Sequence, residues 1–405
     1  MKKICLTVVG LYIGLFASFG QTSYDSSKYR PQELTFEEAN FVSSYYHQDG
    51  NNSAVTGGIG TEKLTDLSNS FDLKYYIYDN SYRKHTISAE LGIDHYTSAS
   101  SDMVDLKANS SASHADTRIY PSVNWTMENE KKGTTIGAGL AFSREFDYTS
   151  YSANVNFAAK TKNRSGEFSA KAQVFLDQVK LVLPTELITT VAGTTSASGE
   201  GGHSKYPSSA RNTFDLSLSY SQIVNKRLQV MLIADVVSQS GYLSLPFHRV
   251  YFTDGTVHQE NLPSSRLKFP VGIRANYFLG DKFIIRTYYR YYTDNWGLTA
   301  HTASIETPVK ITPFLSISPF YRFYQQSAIK YFAPYEKHVA ADQYHTSNYD
   351  LSAFNSNFFG AGFRITPPKG VFGMENFNML EIRYGHYQKN IGMNSDVISL
   401  NIKFK

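Results

Sequence analysis

The chain has 405 residues, of which 41% are hydrophobic, 15% aromatic and only 18% charged. The mean hydropathy of −0.33 excludes a bundle of membrane-spanning helices but allows a β-barrel, because the lumen face of a barrel is polar. The formal net charge of +4 includes Lys2 and Lys3 and gives no reason to expect nucleic acid as a partner.

The N-terminus has the pattern of a secretory signal peptide. Lys2 and Lys3 precede an apolar run over residues 4–17, and small residues follow it. We therefore expect a signal peptide over residues 1–20, cleaved between Gly20 and Gln21. An anchor helix is the weaker interpretation, because the run is shorter than the roughly 20 residues that a membrane-spanning helix needs.

The only cysteine, Cys5, lies within that signal. The mature protein is therefore expected to have no disulfide, no thiolate metal site and no cysteine nucleophile. A short periplasmic lead is predicted over residues 21–37, followed by one barrel domain over residues 38–405.

A two-residue alternation of apolar and polar side chains recurs from the lead to the last residues. Ile398, Leu400, Ile402 and Phe404, for example, alternate with polar residues, so one face of this segment is apolar and the other polar. Segments of this kind predict strands at 41–47, 71–77, 87–93, 119–127, 136–142, 151–159, 168–176, 214–220, 228–236, 267–275, 283–291, 298–306, 315–323, 359–365, 380–384 and 398–404. The fold class predicted is all-β, a transmembrane antiparallel up-and-down barrel of about 16 strands (14–18).

The connections between these segments alternate in length, as expected for short periplasmic turns and long extracellular loops. The long ones are 48–70, 97–116, 178–211, 238–266 and 325–349, and the short ones include 79–83, 162–166, 224–226 and 279–281. If the last strand descends to a periplasmic C-terminus, every long connection falls on the outer side. This favours a Gram-negative outer-membrane protein.

The same alternation predicts which charged residues face the lumen. Late strands carry the basic residues Lys268, Arg274, Arg286, Arg290, Arg322, Arg364 and Arg383. Earlier strands carry the acidic residues Asp72, Glu90, Asp94, Asp215 and Asp235. One basic and one acidic wall would create a transverse field, and the basic wall would concentrate anions. The plainer interpretation is that these charges are solvated or pair across adjacent strands.

Small inward residues occur at Gly137, Gly139, Ala141 and Ser143, and again at Gly360 and Gly362. They either leave room for a segment that folds into the lumen or mark bends in the wall.

No residue pattern predicts an active site or a cofactor. His47, His95, His114 and His248 are expected near the outer rim, but no histidine spacing is typical of a metal site. The glycine-rich stretch 199–202 is typical of a flexible loop. We therefore predict a non-enzymatic protein with no catalytic, cofactor-binding or metal-binding residues.

Three segments resemble a known family: 49–60 (DGNNSAVTGGIG), 241–251 (GYLSLPFHRVY) and 209–213 (SARNT). Together they resemble domain-of-unknown-function family 3570, an outer-membrane family of Bacteroidota and other Gram-negative bacteria. The resemblance implies a barrel in the cell envelope, with neighbours that take part in flavin transfer or in thioredoxin-like redox reactions. It carries over no catalytic residues, and the glycines, asparagines and prolines of these loops also suit fixed turns.

The leading hypothesis is a porin-like transport channel for small solutes with a partly basic lumen, since barrels of this size enclose water. The alternative is a non-conducting barrel that serves as a binding or assembly platform for an envelope protein, of the redox- or flavin-linked kind that the resemblance implies. A soluble secreted β-sandwich is a third interpretation. Expected partners are outer-membrane lipid, the barrel-assembly machinery and an unidentified small solute.

Overall fold

The structure, a computed structural model, describes residues 32–98, 115–187 and 206–405. The predicted signal peptide, most of the predicted lead, His114 and the stretch 199–202 lie outside the described residues. No helix in the described ranges is long and apolar enough to cross a membrane.

Antiparallel strands make up most of the described chain. The strands are β1 (Thr35–Asp49), β2 (Leu64–Tyr78), β3 (Lys84–Ser98), β4 (Ala115–Asn129), β5 (Thr134–Arg144), β6 (Tyr148–Lys160), β7 (Gly166–Lys180), β8 (Ser208–Asn225), β9 (Leu228–Gly241), β10 (Arg249–Tyr251), β11 (Val257–Gln259), β12 (Ser265–Leu279), β13 (Phe283–Asp294), β14 (Thr299–Glu306), β15 (Val309–Thr312), β16 (Leu315–Gln326), β17 (Phe354–Ile365), β18 (Phe377–Lys389) and β19 (Met393–Phe404). β10 and β11 form a separate hairpin, and all the others belong to one sheet.

The sheet closes on itself, because β1 pairs with both β2 and β19. β14 and β15 act as one wall strand. Glu306 pairs with Arg286 and Val309 with Phe283, so the register is unchanged across the intervening Thr307 and Pro308. The fold is therefore a closed antiparallel barrel of 16 strands, which confirms the predicted fold class.

The outer surface of the barrel is apolar. In β5 and β6, for example, Leu140 is 68% exposed, Tyr151 58% and Val155 60%, and they alternate with the small or polar residues Gly139, Ser152 and Asn154. An apolar band of this extent is stable against lipid rather than against water.

The two ends of the barrel differ. At the turn end, the connections 79–83, 130–133, 161–165, 226–227 and 280–282 are short. The loop end has the long connections 50–63, 99–114, 181–207, 242–264 and 327–353, together with three short ones. The five long connections therefore lie at one end, as predicted. The strands extend further than predicted: β2, for example, begins at Leu64, inside the predicted loop 48–70.

Candidate functional site

The seven predicted basic residues lie on β12, β13, β16, β17 and β18, at positions that alternate with exposed apolar side chains. The Arg274 guanidinium lies 5.6 Å from the centroid of the Tyr288 ring, and that of Arg322 lies 4.9 Å from the Phe358 ring. The Arg286 side chain is 49% exposed, so solvent reaches this wall. We refer to it as the basic wall: Lys268, Arg274, Arg286, Arg290, Arg322, Arg364 and Arg383.

Two glutamates on the same wall partly neutralise it. Glu306 Oε1 lies 3.6 Å from Arg286 Nη1 and 3.3 Å from Arg383 Nη1. Glu381 Oε1 lies 3.0 Å from Arg383 Nη1 and is the cross-strand partner of Arg364. Seven cations against these two carboxylates leave an excess of positive charge.

The five predicted acidic residues form two patches that β4–β7 separate, rather than one wall: Asp72, Glu90 and Asp94 on β2–β3, and Asp215 and Asp235 on β8–β9. Neighbouring strands satisfy several of them. Asp72 accepts a hydrogen bond from Asn40 Nδ2 at 3.1 Å, Glu90 from Ser70 Oγ at 2.9 Å, and Asp94 from Tyr120 Oη at 2.9 Å.

The small inward residues accommodate side chains of adjacent strands. A Cβ on Gly137 would lie 2.7 Å from Asn156 Oδ1, and one on Gly139 would lie 1.9 Å from Asn124 Oδ1. Side chains of neighbouring strands, rather than an infolded loop, use the space at these two positions. A Cβ on Gly360 would instead meet the backbone of β18, 2.0 Å from the Tyr384 carbonyl oxygen.

The most extensive side-chain packing occurs at the loop end, where four connections meet over the barrel mouth. We call their described residues, 50–63, 181–187, 242–264 and 327–353, the cap. Loop 50–63 and loop 242–264 begin at positions six wall strands apart in both directions around the barrel. In one direction the six strands are β3–β8, and in the other they are β13–β19, with β14 and β15 counted as one. Because these two loops arise on opposite sides of the barrel, a contact between them spans the mouth.

Arg249 makes that contact. Its Nη1 donates to the Val55 carbonyl oxygen of the opposite loop at 2.6 Å. Its Nε and Nη2 donate to the two carboxylate oxygens of Glu186, at 2.8 Å for the Nη2 contact. Arg249 is 4% exposed, so this ion pair is largely shielded at the arginine. One side chain thus joins three loops, and we call it the hub.

Close backbone approach around the hub requires glycine. Gly57 and Gly58 have φ of 81° and 88°. A Cβ on Gly57 would lie 2.5 Å from Tyr251 Cδ2, and one on Gly58 would lie 2.7 Å from the Ser347 carbonyl oxygen. Loop 50–63 therefore fits tightly against both loop 242–264 and loop 327–353.

A buried carboxylate joins loops 242–264 and 327–353. Glu260 is 4% exposed, accepts hydrogen bonds from the Thr346 hydroxyl at 2.5 Å and the Leu245 amide at 2.7 Å, and lies 3.5 Å from His248 Nδ1. Burial opposes its ionisation, yet the His248 ring and these hydrogen bonds hold the pKa of Glu260 below its usual range.

An apolar cluster joins the cap to the barrel rim. Leu262 and Ile329 of the cap are buried together with Trp296 and Leu298 of the short connection 295–298, and Trp296 Nε1 donates to the Ser265 carbonyl oxygen at 2.8 Å. Around Trp296 the loop end is therefore packed like a protein interior.

The rim histidines that the structure describes each make a separate contact. His47 Nδ1 lies 3.3 Å from Thr65 Oγ1, His95 Nδ1 lies 2.9 Å from Thr117 Oγ1, and His248 lies in the cap. The one group of potential metal ligands among the described residues is Asp116, Glu145 and Asp147, whose nearest oxygens lie within 4.8 Å of one another.

The turn end has a surface cavity of about 770 Å³, lined by Tyr82, Glu130, Lys131, Lys160 and Arg164. Arg164 Nη2 donates to the carbonyl oxygens of Glu130 and Lys131, and Lys160 Nζ lies 3.0 Å from Glu128. Two of its cations are therefore already engaged within the protein.

Sequence reasoning missed the residues that hold the cap, among them Glu186, Arg249, Glu260 and Thr346. The available signal was the set of three segments on which the family resemblance rests. Segments 49–60 and 241–251 meet at the hub, and Arg211 of segment 209–213 donates to the carbonyl oxygens of Tyr242 and Ser244 at 2.8 and 3.1 Å.

Residues 94–395 match the family described as "Protein of unknown function (DUF3570)". The chain belongs to this family. The predicted resemblance to domain-of-unknown-function family 3570 is therefore confirmed.

No curated protein matches the chain. Among solved structures, the family member is similar to OccK1 (OpdK) of Pseudomonas aeruginosa, with 7% identity over 93% of this chain and 99% of that chain and a TM-score of 0.41. It is similar to the outer membrane protein OprD of Pseudomonas aeruginosa, with 7% identity over 94% and 95% and a TM-score of 0.43. It is also similar to a bacterial polysaccharide outer membrane secretin, with 8% identity over 91% and 98% and a TM-score of 0.44.

Proposed function

We propose that the protein is an outer-membrane channel for small solutes whose outer mouth is closed by the cap and opens when the cap loops separate. The observation that carries this proposal is the hub, because its contacts join loops from opposite sides of a closed 16-strand barrel. A barrel of this strand number encloses a lumen wide enough for water and small solutes.

The charge of the lumen supports small anions as the preferred solutes. The basic wall exposes Arg286 to solvent and retains more cations than Glu306 and Glu381 neutralise. Such a surface raises the local concentration of anions inside a narrow pore.

Single-channel recording of Arg249→Ala in planar bilayers tests the gating part. We expect its open probability to exceed that of the wild type by about tenfold, because the variant loses the Glu186 ion pair and the hydrogen bond to Val55, and hydrogen bonds to charged groups contribute about 1.5–3 kcal/mol. Arg227→Ala is the matched control, since it removes the same charge from an exposed position at the turn end. Equal currents from the two variants would contradict the proposal.

The selectivity part is tested by the reversal potential in a salt gradient. Arg286→Ala combined with Arg290→Ala should reduce the anion preference, because it removes two charges from the basic wall. Lys226→Ala combined with Arg227→Ala removes the same charge outside the lumen and should leave the potential unchanged. An unchanged reversal potential in the first double variant would rule out the basic wall as the selective element.

A non-conducting platform for an envelope protein is the second candidate function. The dense packing of the cap favours it, and the turn-end cavity offers a surface for a periplasmic partner. Folded barrels that stay electrically silent in the wild type and in Arg249→Ala would favour this function over the channel.

A further inference from the structure

Two buried histidines hold the β10–β11 hairpin against loop 327–353. His338 is 3% exposed and His345 8%. Both rings pack on the buried side chain of Phe252, with ring centroids 5.7 and 4.9 Å from it. These contacts lie within the cap, close to the loop that carries the hub.

Both nitrogens of each ring face an oxygen that accepts hydrogen bonds. His345 Nδ1 lies 3.1 Å from the Asp342 carbonyl oxygen, and its Nε2 lies 2.9 Å from the Gln259 carbonyl oxygen. His338 Nε2 lies 3.1 Å from the Thr346 carbonyl oxygen, and its Nδ1 lies 3.0 Å from Asp342 Oδ2.

A carbonyl oxygen cannot donate, and a neutral imidazole has only one N–H. All four contacts are therefore hydrogen bonds only when both rings carry a second proton. A neutral ring would direct a nitrogen lone pair at an oxygen about 3 Å away, which loses one hydrogen bond and adds repulsion.

We propose that His338, Asp342 and His345 form a proton-dependent clamp that fastens loop 327–353 to the β10–β11 hairpin at acidic pH and loosens it as the pH rises. The inference rests on the proposed channel function, whose regulation it specifies.

Charged groups on loop 327–353 both oppose and favour the doubly protonated state of the two rings. The ring centroids of His338 and His345 are 5.8 Å apart, so two positive charges repel each other. The Asp342 carboxylate opposes that repulsion. The Val339 amide and the His338 ring hold the pKa of Asp342 below its usual range, so it is ionised throughout the response.

Three titratable groups of the β10–β11 hairpin and its flank lie near the clamp. His258 is exposed, its ring centroid is 6.1 Å from that of His345, and its Nε2 lies 2.9 Å from Thr256 Oγ1. Asp254 accepts hydrogen bonds from Thr256, and Glu260 adds a buried negative charge beside Thr346. Of the two carboxylates, Glu260 is the one linked to the clamp, because Thr346 donates to it and presents its own carbonyl oxygen to His338 Nε2.

Hydrogen–deuterium exchange at about pH 5.5 and about pH 8 tests the clamp, after correction for the intrinsic pH dependence of exchange. We expect amides of residues 249–259 and 338–347 to exchange about tenfold faster at the higher pH. His338→Asn and His345→Asn should each lose most of this difference. The matched control His258→Asn should keep it, because His258 is exposed and makes none of the four contacts.

Nitrogen-15 chemical shifts of the histidine rings provide a second readout if the variants fail to fold. Two protonated nitrogens per ring at pH 5.5 are expected for His338 and His345. A single neutral tautomer there, or a full pH response in both variants, would overturn the clamp. Neither readout requires the barrel to conduct current. A barrel that carries no current but has pH-dependent exchange in the cap would refute the channel alone. A barrel that conducts but has pH-independent exchange in the cap would refute the clamp alone.

Discussion

At the scale of single residues, Arg249 has the contact geometry on which the proposed closure of the mouth depends. A guanidinium presents several donors in one plane, so it binds both oxygens of Glu186 and the Val55 carbonyl oxygen at the same time. A lysine ammonium is a single charged point and cannot reproduce this arrangement. The three loops are therefore held by the shape of one side chain as well as by its charge.

Glu62 lets a second part of the cap respond to pH. Its burial, together with the nearby Asp350 carboxylate, raises the pKa of Glu62 to about 7. The neutral carboxyl stabilises the folded cap fully below the usual range of a carboxyl group, and this contribution is lost as the pH rises through about 7.

We therefore expect Glu62→Gln to slow the exchange of amides 50–63 at pH 8 and to leave it unchanged at pH 4. Glu336→Gln, at an exposed position of loop 327–353, is the control. Faster exchange in Glu62→Gln at pH 8 would contradict the prediction. The clamp response of residues 338–347 should persist in Glu62→Gln, since Glu62 makes none of the clamp contacts.

At the scale of elements, the cap depends on contacts between loops rather than within them. Thr346 is fully buried and its hydroxyl donates to Glu260, so Thr346→Val keeps the shape but deprives a buried carboxylate of a donor. We expect the cap to lose about 1–3 kcal/mol of stability. Amides of 242–264 and 327–353 should exchange faster, while the temperature at which the barrel unfolds on a semi-native gel should not change.

Thr256→Val is the control, because Thr256 is exposed at the tip of the β10–β11 hairpin. If Thr346→Val and Thr256→Val alter exchange equally, the Glu260 contact does not hold the two loops together.

The elements differ in how far the sequence predicts them. The wall strands follow from local alternation, and even β14 was predicted although Pro308 interrupts its strand. The cap could not be predicted, because Val55 and Arg249 are 194 residues apart in sequence and no local pattern links them. His338 and His345 have no recognisable spacing either, since carbonyl oxygens, not a metal, determine their positions.

At the scale of the whole molecule, two structures with different stabilities share one chain. The barrel is held by a continuous ladder of backbone hydrogen bonds that closes between β1 and β19. The cap is held by a smaller number of side-chain contacts, several of which include titratable groups. We therefore expect the cap to open without unfolding of the barrel.

The central claim is that the cap closes a conducting lumen, and a reversible lock across the mouth tests it most directly. Gly57→Cys with Tyr251→Cys places one thiol on each loop where the loops meet: a Cβ on residue 57 would lie 2.5 Å from Tyr251 Cδ2, a ring atom that Tyr251→Cys removes. Because residue 57 has a left-handed φ of 81°, which strains a cysteine, formation of the disulfide is verified by thiol titration before recording. Cys5, the only natural cysteine, lies in the predicted signal, so the mature variant would contain only this pair. The oxidised and reduced forms of the variant are compared in the same bilayer.

We predict no current from the oxidised variant and stepwise openings after addition of a reductant. Equal conduction before and after reduction would mean that the cap does not close the channel. If a barrel that migrates as a folded protein carries no current in either the oxidised or the reduced state, the proposal that it is a channel is contradicted.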